Sequence, residues 1–568
     1  MSIFTAREEL AYPVPDDLTL AQFILDVEHP ARPIRPLGSS WLIEDETGKR
    51  TGFEEARLIS ELVLVCIFSP NHVVYPVVIW AVHRLGAVAS TANPAYTADE
   101  LEYQLTASRS IVIIAHAVCL HVALEAAKRA GIPADRVISI GECPSNFKGQ
   151  SVDELIQFGL ARPANFVERR LRPGEGRTKI ALLCFSSGTT GKPKAVAIPH
   201  SSPIANVLQM AQFQKVNSDK RPFEQHRFRA GDVGMAVLPF FHIYGLVVVM
   251  HFTLFSGVSL VVVPKFDFIN FLNSIQNVRT DFLGEKSVLV PPQIVLLCKH
   301  PATKKYDLSS IRFIMSGAAP LSRELTESLL KIVPKAEVGQ GYGMTETCTT
   351  VSMQPTHHRI GVLGSSGQFL PGIKARVVKE DGALAKPGEI GELIVTGPAM
   401  ALHYLNDEQA TKETFIDGWV RTGDEVYITA EGDLFVVDRL KEIMKVRGFQ
   451  VAPAELEGHL LKHAAVDDCC VVGVPDDYSG EVPLAFVVLS IATAKSLVSN
   501  PANAAAVKAE IAKWVADNKV AYKKLAGGVE FVDAIPKNPS GKLLRRVLRE
   551  RAKALRAEQG KAKVAAKL

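Results

Sequence analysis

The chain has 568 residues, too many for one simple core, so several domains or subdomains are expected. Hydrophobic residues make up 47% and charged residues 22%, an ordinary globular balance, and a net charge of +4 is too small to call for nucleic acid or an anionic membrane. The eight cysteines are scattered without a CxxC pair or a Cys/His spacing, which argues against zinc and for buried thiols in a reducing compartment.

The first residues carry Arg7, Glu8 and Glu9 and lack an apolar core, so no secretory signal is expected. Further on, Thr51-Gly52-Phe53-Glu54-Glu55-Ala56-Arg57 runs almost directly into Ser60-Glu61-Leu62-Val63, which opens an apolar strand ending at Phe68. Thr97-Ala98-Asp99-Glu100 is a capping box and predicts a helix after it. Short apolar runs at Ile111 to Ile114, Val137 to Ile140, Ile180 to Cys184, Val233 to Leu238 and Ile311 to Met315 alternate with amphipathic stretches. That alternation predicts layered α/β structure with a mainly parallel sheet. Ile243 to Val263 is long and uncharged enough to imitate a membrane span, but Gly245, Ser256 and Gly257 interrupt it. A buried helix followed by the strand Val258 to Val263 is expected instead, and no transmembrane segment. Pro320-Leu321-Ser322 opens a helix to about Ile332. From Phe369 to Val395 alternation and Gly/Pro turns predict antiparallel strands. A boundary is expected near Asp438 to Lys441, dividing residues 1–438 from 439–568. Beyond it lies a smaller α+β unit with strands at Cys469 to Val472 and Ala485 to Leu489, and a loop from Ala492 to Ala505. Leu543 to Lys567 reads as a basic, solvated helix without aromatics to stack on bases, so no nucleic-acid partner is expected.

The densest chemistry lies in Phe185-Ser186-Ser187-Gly188-Thr189-Thr190-Gly191-Lys192-Pro193-Lys194-Ala195. Glycines let backbone N–H groups close on an anion, hydroxyls donate to phosphate oxygens, and lysines add charge. A plain loop would have the same composition. It is not a Walker loop, because Gly188 and Gly191 are too close and Pro193 follows Lys192.

With seven further motifs in order, this run resembles the adenylate-forming superfamily of acyl-CoA synthetases, luciferases and peptide-synthetase adenylation domains. They are Leu238-Pro239-Phe240-Phe241-His242-Ile243-Tyr244-Gly245, Ser316-Gly317-Ala318-Ala319-Pro320-Leu321, Gln340-Gly341-Tyr342-Gly343-Met344-Thr345-Glu346, Trp419-Val420-Arg421-Thr422-Gly423-Asp424, Val437-Asp438-Arg439-Leu440-Lys441-Glu442, Arg447-Gly448-Phe449-Gln450-Val451-Ala452-Pro453-Ala454-Glu455, and Pro536-Lys537-Asn538-Pro539-Ser540-Gly541-Lys542. The branch most similar is the 4-coumarate–CoA ligase-like group. The resemblance implies a large N-terminal region of α/β subdomains with a small β-barrel, and a small mobile C-terminal domain. The family usually has a full helix before the strand that matches Leu62 to Phe68. Most of it is missing here, which would uncover that strand's apolar surface.

The implied reaction turns a small carboxylic acid and ATP into an acyl-adenylate and pyrophosphate, then passes the acyl group to coenzyme A. A luciferase-like oxygenase and a non-catalytic acyl or nucleotide binder are the alternatives. By the same resemblance Lys542 is the adenylation lysine, and His242, Lys445 and Gln450 share the catalytic group. Ser187, Gly188, Thr189, Thr190, Gly191, Lys194 and Thr345 hold phosphates. Ala318, Ala319, Gln340, Gly341 and Tyr342 frame adenine, and Asp424 and Arg439 take the ribose. Glu346 holds Mg²⁺. Arg447, Gly448 and Phe449 pass coenzyme A, and Lys441 is the hinge. Tyr244, Val248, Met315, Ala318, Gly341, Thr349 and Thr350 line the acyl pocket, for an aryl-alkenoic, aryl-alkanoic or fatty acid. Plant 4-coumarate ligases tend to have a small polar residue at the position of Val248 and Pro-Val at Thr349-Thr350. Ala566-Lys567-Leu568 resembles a peroxisomal address, so an import receptor is the expected partner and the peroxisome, otherwise the cytoplasm, the expected location.

Overall fold

The computed structural model describes residues 3–36, 39–51, 64–143, 147–161, 166–168, 170–186, 193–218, 222–278, 285–440, 442–447, 449–476, 479–537 and 543–565. Four sheets are seen among them, and the mixed α/β class matches the expectation. In the first, Ala89–Ala92, Val65–Phe68, Val112–His116 and Val137–Ile140 run parallel beside Ile180–Ser186. Lys194–Pro199 and then His403–Tyr404 close its edge antiparallel. In the second, Glu337–Met344, Ile311–Ser316, Glu285–Leu289, Val233–Ala236, Ser259–Val262 and Leu42–Glu44 are parallel. The third is the antiparallel sheet expected after Phe369. It includes Lys374–Val378, Gly391–Thr396, Trp419–Ile428 and Leu434–Arg439. One contiguous apolar core joins these three sheets and runs to Leu434.

Separate cores begin at Met444 and pack the two faces of the fourth sheet, built on the hairpin Val466–Asp476/Gly480–Leu489. These strands outrun their sequence prediction because the hairpin pairs well beyond its apolar centre. The predicted loop from Ala492 to Ala505 is instead the helix Ile491–Ser499, a short 3₁₀ turn, and the start of Ala504–Asn518. Ile491–Ser499 buries no residue, so it leaves no apolar period to read, and its Ala, Lys and Leu content carries the helix by intrinsic propensity. The last helix, Arg545–Ala565, is basic as expected, but Leu548 and Ala552 seat it in the small domain's core.

Residues 52–63 lie outside the described residues. The strand after them does not lose its cover: Val65 and Ile67 are buried in the main core, and Cys66 and Phe68 pack with Leu101, Leu105 and Leu120 on the other face. The uncharged stretch after Ile243 is a π-type helix, Tyr244–Phe252, then a short α turn and the strand Ser259–Val262. Gly245 opens it because a Cβ there would stand 2.1 Å from the Pro239 carbonyl oxygen. Among the described residues no helix is long and apolar enough to cross a membrane.

Candidate active site

The C-terminal ends of Ile180–Ser186 in the first sheet and Glu337–Met344 in the second come together, and open α/β sheets bind ligands at such strand ends. The strand Ile180–Ser186 ends on Ser186, whose hydroxyl donates to Glu346 Oε1 at 3.0 Å. Tyr404 donates to the same oxygen at 2.7 Å. Glu346 is therefore a buried carboxylate with one oxygen doubly held, and its Oε2 has no hydrogen-bond partner among the described residues. A Mg²⁺ ion needs one or two carboxylates and completes its shell with waters and substrate phosphates, so this single anionic oxygen fits the ion.

Ser187, Gly188, Thr189, Thr190 and Gly191 lie outside the described residues. Lys194, just past them, turns its ammonium over the Tyr404 ring at 5.2 Å and toward Asp407 at 3.8 Å.

The strand Ile311–Ser316 runs into Gly317, and Ala318 takes φ 68°. A Cβ on Gly317 would meet the Tyr244 hydroxyl at 2.7 Å, so glycine lets the two approach. Ala318 is exposed and Ala319 half-buried, free to line a ligand. Gln340, expected to frame adenine, has its side chain on Leu321, accepting from the N–H at 2.6 Å and donating to the carbonyl at 3.1 Å, so it anchors the loop that follows Ala318 and Ala319.

Tyr342 donates to Asp424 Oδ2 at 2.6 Å, while Asp424 Oδ1 lies 3.3 Å from Arg439 Nε. Asp424 and Arg439 are register partners in the hairpin Trp419–Ile428/Leu434–Arg439, which explains their pairing. Burial, then the Asp424 charge, pushes the Tyr342 phenol well above its ordinary range. Burial alone would lower Arg439, but Asp424, Glu442, Tyr342 and Glu346 outweigh it and raise its pKa. The three residues thus present a fixed, charged and hydrogen-bonding edge suited to ribose hydroxyls.

Thr345 opens the 3₁₀ turn Thr345–Thr347, and the Thr347 hydroxyl ties it down by bonds to the Met344 and Thr349 carbonyls. Cys348 and Thr349 follow at φ 48° and 83°. Positive φ at a β-branched residue is an outlier, and such strain concentrates at functional sites. Gly343 admits this turn: a Cβ there would lie 1.6 Å from the Thr349 carbonyl oxygen.

Tyr244, Val248, Met315, Gly341, Thr349 and Thr350 are the residues expected to line the acyl pocket, and Val248 is fully buried. Met315 Sδ would stand 3.6 Å from a Cβ at Gly341, and the Thr350 hydroxyl reaches Met210 Sδ at 3.5 Å. The buried hydroxyls of Tyr244 and Ser316 have no hydrogen-bond partner among the described residues. His242 is half-buried, and its Nδ1 accepts from the Tyr244 N–H at 3.2 Å.

Lys445 and Gln450 are not gathered at the Tyr342–Asp424–Arg439 edge. Both reach Glu380 of the third sheet, at 3.5 and 3.4 Å, and with its amide turned over Gln450 donates to Glu425 at 3.0 Å. Arg447, at φ 52°, bonds Ser479 through backbone and side chain, and Phe449 stacks on Tyr522 at 4.5 Å. Lys441, Gly448, Lys542 and Ala566-Lys567-Leu568 lie outside the described residues. Lys537 and Leu543 pair as an isolated bridge at the base of the 538–542 segment.

Sequence reasoning missed Ser186 as a Glu346 ligand, and missed Tyr404, Asp407 and Asn206, whose amide holds the Thr350 backbone at both ends. The contacts that bring them to the site span more than 50 residues of chain, and the local signals present, Asp407 as the cap of the helix Glu408–Thr414 and Ser186 within the Gly/Ser/Thr run, do not name those partners.

A family model described as AMP-binding enzyme matches residues 59–405, and one described as AMP-binding enzyme C-terminal domain matches residues 455–542. 4-Coumarate–CoA ligase 5 of Oryza sativa subsp. japonica is 33% identical over 565 residues, covering 94% of this chain and 95% of its own. 4-Coumarate–CoA ligase 3 of Arabidopsis thaliana is 36% identical over 532 residues, with 89% and 88% covered. The crystal structure of the anthranilate CoA ligase AuaEII with anthranoyl-AMP superposes with a TM-score of 0.79 at 25% identity, covering 96% of this chain and 99% of that one.

Proposed function

We propose a substrate, a metal and an address for a chain that belongs to the AMP-binding enzymes, in the 4-coumarate–CoA ligase-like part of the adenylate-forming superfamily. It is an ATP-dependent, AMP-forming acid–thiol ligase. A carboxylate oxygen attacks the α-phosphorus of ATP and pyrophosphate leaves. The thiol of coenzyme A then attacks the acyl carbon, and AMP leaves.

The substrate proposed is an aryl-alkenoic or aryl-alkanoic acid whose ring carries a hydrogen-bonding substituent, ahead of a fatty acid. The carrying observation is the buried Tyr244 hydroxyl without a partner among the described residues. A buried hydroxyl left unpaired costs free energy that a substrate hydroxyl or amine can recover. The acids named in similar proteins, 4-coumarate and anthranilate, have such a ring group.

Asp424 and Arg439 would hold the ribose, Tyr342 would stack on adenine, and the strained turn would aim Thr345 at the α-phosphate. Glu346 would hold Mg²⁺, which supplies charge neutralisation to the phosphates when bound. Lys542 is proposed as the adenylation lysine and Lys441 as the hinge for the second step. The family resemblance supports both roles. The C-terminal Ala566-Lys567-Leu568 is proposed as a peroxisomal address.

The deciding experiment is a panel of aryl and fatty acids with ATP, with and without Mg²⁺, reading pyrophosphate release and CoA-thioester formation. Hydroxylated aryl acids are expected to show the highest kcat/KM, and a preference for saturated fatty acids would overturn the substrate. Removing residues 566–568 is expected to disperse a tagged enzyme through the cytosol without changing activity.

A further inference from the structure

Besides Lys445 and Gln450 on Glu380, further contacts join the large region to the small domain among the described residues. At the end of the helix Pro291–Lys299, the Lys299 ammonium donates to the Val466 carbonyl at 2.6 Å. On the helix Arg323–Ile332, Glu324 pairs with Lys462 at 2.7 Å. Ser322, the cap of that helix, lies where a Cβ on Gly458 would come within 3.2 Å of its own Cβ. Beside the junction, Asp438 Oδ2 accepts from the Ala454 N–H at 3.1 Å, at the start of the helix Pro453–Leu460.

The segment that Lys299 grips is joined by direct contacts to the residues on either side of 538–542. Val466 begins the strand that carries Asp468, and Asp468 pairs with Lys537. Lys537 bridges Leu543, and Leu544 N–H donates to the Pro536 carbonyl at 2.9 Å, so the described residues on either side of 538–542 are drawn together. A chain of direct contacts thus runs from the outer helices of the large region to the residues that flank 538–542.

We infer that Lys299 and Glu324 are positioning residues that hold the small domain, and with it the residues that flank 538–542, in the orientation seen here. The inference rests on the two-step reading above, in which the small domain takes more than one orientation. Neither residue touches the Tyr342–Asp424–Arg439 edge or Glu346, so their effect falls on the choice of orientation and not on nucleotide contacts. A charged hydrogen bond such as that of Lys299 shifts a two-state population about ten-fold, and a partly exposed ion pair such as Glu324–Lys462 roughly two- to five-fold.

The test uses the full chain with a donor and an acceptor dye at the exposed positions 412 and 513, one in each domain. Energy transfer gives the fraction in the orientation described here. Lys299→Met is expected to lower the ratio of that orientation to the others about ten-fold. Glu324→Lys is expected to lower it less, and Glu324→Lys with Lys462→Glu to restore it. The ratio of adenylate formation to thioester formation from supplied adenylate should move with the population. An unchanged distance distribution in Lys299→Met, equal loss in both half-reactions, or no rescue by the charge swap would overturn the inference. The distance readout needs no substrate. A wild-type chain that makes no thioester, yet whose dye distances respond as expected, would refute the proposed function and support this inference.

Discussion

Gln340 grips the backbone of Leu321 at both ends, accepting its N–H at 2.6 Å and donating to its carbonyl at 3.1 Å. The strand Glu337–Met344 and the loop after Ile311–Ser316 are thereby fixed to each other across 19 residues of chain. Gln340→Leu would leave both buried backbone groups unpaired, at roughly 1–3 kcal/mol each. The KM for ATP is expected to rise about ten-fold or more, with a smaller change in kcat. Initial rates at varied ATP check it, and an unchanged KM would show that the clamp does not shape the site.

Two neighbouring glycines should respond differently. A Cβ on Gly343 would stand 1.6 Å from the Thr349 carbonyl oxygen, a backbone atom that cannot move aside. Gly343→Ala should therefore displace the Glu346 turn and lower adenylation at least about a hundred-fold, since overpacking of 1–3 kcal/mol adds to lost geometry. At Gly341 the nearest atom is 3.2 Å away and the next is the adaptable Met315 Sδ. Gly341→Ala should fold and should favour smaller acids. Pyrophosphate release over a size series distinguishes the two.

Tyr244→Phe removes a buried hydroxyl that has no partner among the described residues. The ligand-free protein should gain about 1 kcal/mol of stability, and kcat/KM should fall about ten-fold for hydroxylated aryl acids relative to their unsubstituted analogues. Melting temperature and paired-acid kinetics provide the check. Equal losses on both acids would separate Tyr244 from ring recognition.

Acid should weaken the fold through three buried imidazoles. Burial pushes His200 and His251 down to about 4, and His83 well below its ordinary value. His251 is neutral by geometry as well, accepting from the Trp80 indole and bonding the Leu246 carbonyl. A group depressed in the fold binds its proton first in the unfolded chain. The stability it supports is therefore complete above pH 6.5 and falls away as pH drops toward 4, by on the order of 3 kcal/mol each for His200 and His251. Asp438, raised to about 6 by burial, acts oppositely, as do Glu168 and Glu425, whereas His116, pushed down to about 4, adds to the loss. Denaturant midpoints should fall between pH 6.5 and 4.5, and less steeply in His200→Asn. A slope unchanged by that variant would assign the acid sensitivity elsewhere.

Arg545 is enclosed by Glu457 on two nitrogens, Glu442 at 2.7 Å and the Val471 carbonyl at 3.3 Å. Arg545→Met should cost about 3–5 kcal/mol, because two carboxylates lose their counter-charge in a buried site. Arg545→Lys should rescue little, since a point charge cannot span both acids. Loss of a separate small-domain unfolding step by calorimetry would bear this out, and a wild-type trace would contradict it.

By itself the sequence determined the family, the reaction class, the alternation into α/β layers and the antiparallel region after Phe369. These are properties of local runs: apolar period, turn glycines, and motifs a few residues long. It also named Asp424 and Arg439 together as expected ribose residues, and the hairpin register makes them cross-strand partners. What it could not hold was anything set by distant segments meeting. Tyr404 on Glu346, Asn206 on Thr350 and Lys299 on Val466 join positions 58, 144 and 167 residues apart. Nothing local distinguishes those residues from ordinary surface or core. The same reason put the Gln340 side chain on Leu321, and Lys445 and Gln450 toward Glu380. The helix Ile491–Ser499 was illegible for the converse reason: it buries nothing, so no tertiary contact had written a period into it. Local chemistry is carried by spacing along the chain, whereas partnership is decided by which surfaces the folded core brings within hydrogen-bond reach.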